Sequence, residues 1–179
     1  METYQEDSTI KIKFAKLRED VILPSKEDGN VGYDIYANFT DDYMLIKPHS
    51  TVMIPTGLES IIPNGFAIIL KDRGSTGSKG ISTACGVIDS SFRGEWFVAL
   101  HNENNIPVFI VKDNVTEETL NNDFPEYSSS EKILYPYKKA ITQGILIEDV
   151  PATIIEVDTD TIDSNVTARG KGITGSSGK

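Results

Sequence analysis

The chain has 179 residues, of which 39% are hydrophobic and 25% are charged, which is ordinary for a single folded domain with a substantial core. Its formal net charge of -10 argues against binding to a nucleic-acid backbone, because such backbones are bound by clustered basic surfaces. The same field would repel an anionic substrate, so local cations or a metal ion would have to overcome it.

The sequence pattern predicts strands throughout. Period-two alternation places Ile10, Ile12 and Phe14 on one face of a first strand at 9–14. Further strands are predicted at 43–46, 51–54, 66–70, 96–100, 108–111, 141–147 and 153–157. Turn signals such as EDGN, KPHS and PNG separate them, and short strands at this spacing predict an all-β barrel or sandwich.

Two regions break the strand pattern. Residues 112–135 are acidic and polar, with at most one short helix starting near Asn114, and so long a connection is an insertion, a disordered segment or a functional one. Residues 158–179 are rich in glycine and serine, lose apolar periodicity and cannot bury enough surface to fold alone. We therefore expect a β-barrel domain over 1–157, interrupted by an acidic insertion at 112–135, and a mobile tail over 158–179.

The stretch GVIDSSFRGEW, residues 86–96, concentrates charges between two apolar runs. It reads as a hairpin with Ser90 and Ser91 in the turn, where Asp89 has a simple interpretation as a turn former. The loop KDRGSTGSKGI, residues 71–81, offers cations and hydroxyls that could hold phosphate oxygens, or it is an ordinary surface loop.

Two more stretches combine glycines with polar groups. In GNVGYDIYA, residues 29–37, Asp34 lies in an otherwise apolar strand start and must be exposed or hydrogen bonded. The tail ending ARGKGITGSSGK offers a cation, hydroxyls and many N–H groups for an anion, although it does not meet the Walker A spacing. Its simple interpretation is an inert flexible end.

Taken together and in order, five segments resemble the five motifs of the trimeric deoxyuridine triphosphatase (dUTPase) family: GYDIYA, DRGSTGSKG, GVIDSSFRGEW, ITQGIL and RGKGITGSSG. The third motif is the most specific of them. The resemblance implies an all-β, jelly-roll-like β-barrel with a flexible Gly/Ser-rich tail. It also implies a homotrimer whose active sites are shared between subunits.

The activity that the resemblance implies is hydrolysis of dUTP to dUMP and pyrophosphate, which limits uracil in DNA. Mg²⁺ would be held by the triphosphate and water, without a direct protein ligand. Asp89 would activate the water that attacks the α-phosphate, and Asp34 would support the first motif. The implied substrate contacts are Arg73, Gly74, Ser75, Thr76, Gly86, Val87, Ile88, Phe92, Arg93, Gln143, Arg169, Thr174, Gly175, Ser176 and Ser177.

Within that set the resemblance implies distinct roles. The backbone around 84–92 would read the uracil edge, and Phe92 would lie under the deoxyribose. The tail would close over the β- and γ-phosphates. This chain also departs from the family pattern: Phe92 replaces a usual Tyr, Thr174 replaces a usual stacking Phe, and Lys138-Lys139-Ala140 replaces Gly-Asp-Arg.

Other functions fit parts of the sequence. One alternative is a dCTP deaminase, which has the same fold. Another is an inert β-sandwich binding module, although this function would leave the tail without a role. A dUTPase could also act as a regulatory protein through a partner bound at 112–135. Because acidic residues repel a triphosphate, we expect this insertion to lie away from the phosphate end of the site.

The cellular compartment is predicted from the N-terminus and the cysteine content. METYQEDSTI is polar and acidic, unlike a secretory signal, and apolar runs such as 66–70 are too short to cross a bilayer. The single cysteine, Cys85, suits a reducing environment. We expect a cytoplasmic protein, of a bacterium or a phage-infected host, that binds dUTP but neither nucleic acid nor membranes.

Overall fold

A computed structural model of the chain describes residues 9–167 and 170. In this part of the chain, short strands dominate, and three short α-helices and one 3₁₀ helix (Pro125–Tyr127) lie between or after them. The strands are β1 (Lys13–Lys16), β2 (Tyr33–Ile35), β3 (Tyr43–Ile46), β4 (Thr51–Pro55), β5 (Leu58–Ile61), β6 (Phe66–Lys71), β7 (Ile81–Cys85), β8 (Val87–Asp89), β9 (Phe97–Asn102), β10 (Val108–Val111), β11 (Ile133–Pro136) and β12 (Thr142–Glu148). The helices are α1 (Gly74–Gly77), α2 (Glu117–Asp123) and α3 (Thr159–Ser164). None of the helices in the described residues is long and apolar enough to span a membrane.

The strands form four small sheets, with the orders β1-β5, β11-β10-β3, β2-β12-β6-β8 and β4-β9-β7. Alternating residues of these strands point inward and build one core that includes Ile46, Ile54, Leu58 and Val98. Trp96 is completely buried in this core, and its indole N–H donates to Ser60 Oγ at 3.1 Å. The burial of an aromatic ring with its polar atom satisfied is the arrangement that costs least in a packed interior.

The strands predicted between 43 and 147 are confirmed to within two residues, but the one predicted at 153–157 is wrong. This segment pairs with no strand of the described chain, and Ile154 is 98% exposed. Its apolar alternation is real, yet a strand needs a neighbouring edge to satisfy its backbone. The chain divides into compact units at Met1–Asp149 and Val150–Lys179, and the boundary expected after residue 157 stays a prediction.

The hairpin predicted within 86–96 is also wrong. β8 pairs with β6, whereas β9 pairs with β4 and β7 in a different sheet. The segment between them crosses from one sheet to the other and is held there by Glu95. This carboxylate accepts hydrogen bonds from the backbone N–H of Gly57 at 2.8 Å and from Arg18 at 3.3 Å. Gly57 has φ +68, a conformation that favours glycine, so this junction depends on it.

The region predicted as an insertion contains helix α2, the 3₁₀ helix and most of strand β11. Helix α2 begins after Thr116, whose hydroxyl accepts from the Thr119 N–H at 3.2 Å and caps the helix. Leu120 is fully buried, and the Phe124 ring lies 5.3 Å from the ring of Phe109 on β10. The segment then ends in β11, an unpredicted strand that pairs in parallel with β10. A protein partner at 112–135 stays a prediction.

A second contact anchors α2 to the sheet. The Tyr43 hydroxyl donates to Asp123 Oδ2 at 2.7 Å. This hydrogen bond, with smaller effects of burial and of neighbouring aspartates, raises the pKa of the Tyr43 hydroxyl above its ordinary value. Because the pKa of the Tyr43 hydroxyl is higher in the folded than in the unfolded protein, protonated Tyr43 stabilises the fold. This contribution to the free energy of unfolding is retained below about pH 10 and is lost as the pH rises further.

Leu120→Ala tests whether α2 is an integral part of the domain. We expect a loss of about 2–5 kcal/mol in the free energy of unfolding, because a buried leucine is replaced and a cavity remains. Urea unfolding followed by fluorescence gives this value, with Leu17→Ala as a control because Leu17 is 45% exposed. Equal, small effects of the two substitutions would mean that α2 does not pack on the core.

Candidate functional site

An open polar cleft of about 410 Å³ lies where β2, the loop after β6 and the start of β12 meet. The three elements are neighbours because β12 pairs with β2 on one side and with β6 on the other. Three of the five sequence motifs therefore reach one place. The residues that line the cleft are Asn30, Val31, Gly32, Asp34, Arg73, Gly74, Ser75, Lys139, Gln143 and Ile145.

Asp34 and Arg73 form the central contact of the cleft. The Arg73 guanidinium donates from Nε to Asp34 Oδ1 and from Nη2 to Asp34 Oδ2, both at 2.8 Å. Its Nη1 donates to Ser75 Oγ at 3.0 Å and to the Ala140 carbonyl at 3.4 Å. Two parallel charge-assisted bonds fix the plane of a guanidinium, so Arg73 is held in position before any ligand binds.

Gln143 lines the same cleft from β12, where it pairs with Asp34 of β2 and Lys71 of β6. Its side-chain amide donates to the Asp72 carbonyl at 2.7 Å. A Cβ atom on Gly32 would lie 2.2 Å from Oε1 of Gln143, so any other residue there would displace the Gln143 side chain. The first motif thus contributes both a carboxylate for Arg73 and the space for Gln143.

Thr76, expected to contact substrate, is instead buried. Its hydroxyl donates to the Arg73 carbonyl at 3.0 Å and accepts from the Arg73 N–H at 3.2 Å. These two bonds close the turn of α1 and hold the backbone of Arg73. Thr76 therefore stabilises the loop rather than lining the cleft.

A second depression, of about 220 Å³, lies between the end of β6 and residues 83–87. Gly86 lies tightly against β6, since its carbonyl accepts from the Leu70 N–H at 2.6 Å and a Cβ atom there would approach Leu70 O to 2.8 Å. Val87 is 63% exposed at this depression, whereas Ile88 points into the core. The backbone at Gly86, together with the exposed side chain of Val87, can therefore contact a planar ring.

The remainder of the third motif begins with Asp89, the last residue of β8. Asp89 is exposed and lies opposite Ala67 on β6. The Phe92 ring is 42% exposed and packs across Gly94, where a Cβ atom would lie 2.9 Å from the ring. Arg93 points back at its own turn, with Nη1 donating to the carbonyls of Ser90 at 2.6 Å and Phe92 at 2.7 Å.

Asp89 and the polar cleft lie near opposite ends of β6, the strand with which β8 pairs. Asp89 pairs with Ala67 near the start of β6, whereas Arg73 lies two residues beyond Lys71, the last residue of that strand. At about 3.3 Å per residue, these positions are roughly 20 Å apart along the chain direction. We call the cleft around Arg73 the phosphate half and the segment 84–92 the nucleoside half, after the substrate contacts that the sequence motifs predict for them.

Sequence reasoning missed two residues that the structure brings to the phosphate half. Lys139 lines the cleft, and its position shortly before β12 is the signal that could have identified it. Tyr135 on β11 contacts Ser75 Oγ at 3.5 Å, so the expectation that 112–135 lies away from the phosphate end is wrong for its last residue. The tail candidates Arg169, Thr174, Gly175, Ser176 and Ser177 lie outside the described residues.

Metal binding by side chains has no candidate group in residues 9–167 and 170, where no three His, Cys, Asp or Glu residues cluster suitably. The one carboxylate that lines the cleft, Asp34, is already occupied by Arg73. An ion in the cleft would therefore have to be held mainly by oxygens of its ligand and by water.

Comparison with known proteins agrees with this geometry. Residues 18–114 match the family model named dUTPase. The deoxyuridine 5'-triphosphate nucleotidohydrolase of Desulfitobacterium hafniense is 37% identical over 113 residues, which cover 59% of this chain and 74% of that protein.

Solved structures show the same fold. The dUTPase of Staphylococcus bacteriophage 80alpha with dUpNHpp has a TM-score of 0.70 at 19% identity, covering 96% of this chain and all of that chain. A mutant dUTPase from phage phi11 of S. aureus, described with a structural Mg(II) ion, has a TM-score of 0.61 at 16% identity, covering 83% and 97% of the two chains. These similarities confirm the expected jelly-roll-like, all-β fold. From the family match over more than half of its length, together with the curated relative, the chain belongs to the dUTPase family.

Proposed function

We propose that this protein hydrolyses dUTP to dUMP and pyrophosphate, with Asp89 activating the water that attacks the α-phosphate. Beyond family membership, the observation that carries the proposal is the arginine held by Asp34 in a polar cleft. Hydrolysis of a triphosphate needs donors placed in advance where negative charge develops. Arg73 is positioned in this way before substrate arrives.

The phosphate half can bind a polyanion although the whole chain is acidic. Asp34 neutralises much of the charge of Arg73, so Lys139 supplies the uncompensated positive charge of the cleft. Ser75 and Gln143 add neutral donors. Mg²⁺, when bound to the triphosphate, would add the strongest local positive charge and polarise the phosphoryl oxygens.

The nucleoside half is suited to a planar base and a deoxyribose. The backbone of β8 beside Gly86 offers N–H and C=O groups to the uracil edge, with Val87 exposed against the ring. Phe92, three residues after Asp89, is partly exposed, and by analogy with the family its ring would lie under the deoxyribose, where a 2′-hydroxyl would clash. Asp89 is exposed at the end of this strand, which suits a base that must reach a water molecule.

One copy of the chain does not bring Asp89 to the phosphate half, since about six residues separate Ala67, its partner on β6, from Arg73, roughly 20 Å. We infer a homotrimer in which each site combines the nucleoside half of one copy with the phosphate half of another. The exposed apolar residues Val150, Ile154 and Ile155 support association, because soluble chains rarely leave such a run uncovered. Tail residues 158–179 are proposed to close over the phosphates.

The activity is tested by incubating the purified protein with Mg²⁺ and, separately, dUTP, dCTP, dTTP and UTP. We expect pyrophosphate release from dUTP alone, because the other three differ at the base edge or at the 2′ position. Ammonia released from dCTP would support the deaminase alternative and overturn the proposal. Light scattering should return about three times the chain mass of 19.7 kDa.

Lys139→Met tests the charge of the phosphate half. We expect the KM for dUTP to rise roughly tenfold with little change in stability, because one cation next to the triphosphate is lost. The matched control is Lys138→Met, since Lys138 is 73% exposed and pairs with Asp113 instead. Steady-state kinetics that show equal effects of both substitutions would remove Lys139 from the site.

A further inference from the structure

Tyr135 contacts the phosphate half from the buried side, although none of the sequence motifs includes it. It lies on β11, where it pairs with Ile110 of β10, and only 1% of its surface is exposed. Its hydroxyl donates to the Ala140 carbonyl at 2.7 Å and lies 3.5 Å from Ser75 Oγ. The hydroxyl is thus the one polar atom of a side chain that otherwise belongs to the core.

The two oxygens contacted by Tyr135 are those that accept from Nη1 of Arg73. Nη1 donates to Ser75 Oγ at 3.0 Å and to the Ala140 carbonyl at 3.4 Å. One phenolic hydroxyl therefore contacts both acceptors of one guanidinium nitrogen. Because the phenolic proton is donated to Ala140, the oxygen of Tyr135 can only accept from the Ser75 hydroxyl.

We propose that Tyr135 is a positioning residue that holds Ser75 and the Ala140 carbonyl, and through them Arg73, in the arrangement that receives the triphosphate. The inference rests on the proposed function and assigns to β11, at the end of the segment 112–135, a direct part in the phosphate half. Asp34 fixes Nε and Nη2 of the guanidinium, and Tyr135 fixes the acceptors of Nη1. The two supports act on different nitrogens of one group.

Tyr135→Phe tests the proposal because it keeps the buried ring and removes only the hydroxyl. Loss of one hydrogen bond in the network should raise the KM for dUTP and the inhibition constant of pyrophosphate by about tenfold each. The inhibition constant of deoxyuridine, which has no phosphate, should not change, because the hydroxyl that is removed contacts only Ser75 and the Ala140 carbonyl, both in the phosphate half. A merely structural role would not separate these two ligands.

The matched control is Tyr137→Phe, two residues further along. The Tyr137 hydroxyl accepts from Asn38 Nδ2 at 3.2 Å, outside the cleft, so its removal should leave both inhibition constants unchanged. Ser75→Ala is a second variant that removes the other end of the contact. If Tyr135 acts partly through Ser75, the two substitutions together should cost less than the product of their separate effects.

Calorimetric titration of pyrophosphate into each variant keeps the test independent of turnover. If the wild-type protein does not hydrolyse dUTP, the proposed function fails, while weaker pyrophosphate binding by Tyr135→Phe would still support the role of Tyr135. Unchanged pyrophosphate affinity in Tyr135→Phe, in a protein that does hydrolyse dUTP, overturns the inference alone. Equal weakening of deoxyuridine and pyrophosphate would also overturn it, since it would indicate a general loss of structure.

Discussion

Asp89→Asn is expected to lower kcat for dUTP by on the order of 10² to 10⁴, because a general base is removed from the chemical step. The affinity for a non-hydrolysable analogue should remain close to that of the wild-type protein, since asparagine keeps the size and polarity of the side chain. Within the described residues the Asp89 carboxylate makes no hydrogen bond or ion pair, so its replacement breaks no stabilising contact there. We therefore expect an unchanged melting temperature.

Single-turnover kinetics and calorimetric titration with the analogue separate the chemical step from binding. Asp149→Asn, an exposed carboxylate in neither half-site, is the control for a general effect of charge. Near-normal turnover by the Asp89→Asn protein would show that another group activates the water. A loss of analogue binding as large as the loss of turnover would instead make Asp89 a binding residue.

Arg73→Ala is expected to lower kcat/KM by on the order of 10² to 10³, the range seen when a preorganised donor is removed from a developing negative charge. The substitution has two effects in this cleft. It removes the donors, and it leaves the carboxylate of Asp34, 31% exposed, without its partner and facing the triphosphate. Both effects oppose binding of an anion.

Graded variants distinguish the two effects. Arg73→Lys keeps the charge but cannot make the two parallel bonds to Asp34, so its kcat/KM should lie between those of the wild type and Arg73→Ala. Asp34→Asn keeps the arginine and should cost less than Arg73→Ala. If Arg73→Lys is fully active, the fixed orientation of the guanidinium is unimportant, and the argument from preorganisation fails.

Mixing the two inactive variants tests whether sites are shared. In a mixed homo-oligomer of Asp89→Asn and Arg73→Ala chains, random assembly should restore about a quarter of the sites, those with an intact residue from each of two chains. If each site were built within one chain, every chain would carry a lesion and no activity would return. Co-refolding at equal concentrations, followed by a pyrophosphate assay, gives the answer.

The sequence motifs pointed to residues that the fold brings together in one cleft. Asp34, Arg73, Ser75 and Gln143 are far apart in the sequence, yet β12 pairs with both β2 and β6 and brings them together. Local patterns could not show that Thr76 turns inward, because its burial follows from hydrogen bonds to the Arg73 backbone. A threonine in a glycine-rich loop looks the same in either role.

The failed predictions have a common cause. Each concerns which strand or core surface a segment packs against, rather than the type of secondary structure that its composition favours. The runs around β8 and β9 both have strand composition, but burial of Trp96 and the bonds of Glu95 send them to different sheets. Residues 153–157 also have strand composition, and no edge in the described chain accepts them. The polar composition of 112–135 concealed a few apolar residues, chiefly Leu120 and Phe124, that are enough to dock α2.

The parallel pairing of β10 with β11 restricts how the segment between them could be gained or lost in evolution. Residues Val108 and Ile133 lie side by side, so the chain leaving Val111 must return along the whole strand before β11 can begin. A connection of this kind needs about a dozen residues or more, whereas an antiparallel hairpin can shrink to about two. Gradual shortening of this connection below that length would therefore leave β11 unpaired. A viable deletion must also replace β11, the strand that carries Tyr135. We expect natural length variation here to be stepwise, with relatives having either the complete crossover or a different partner strand.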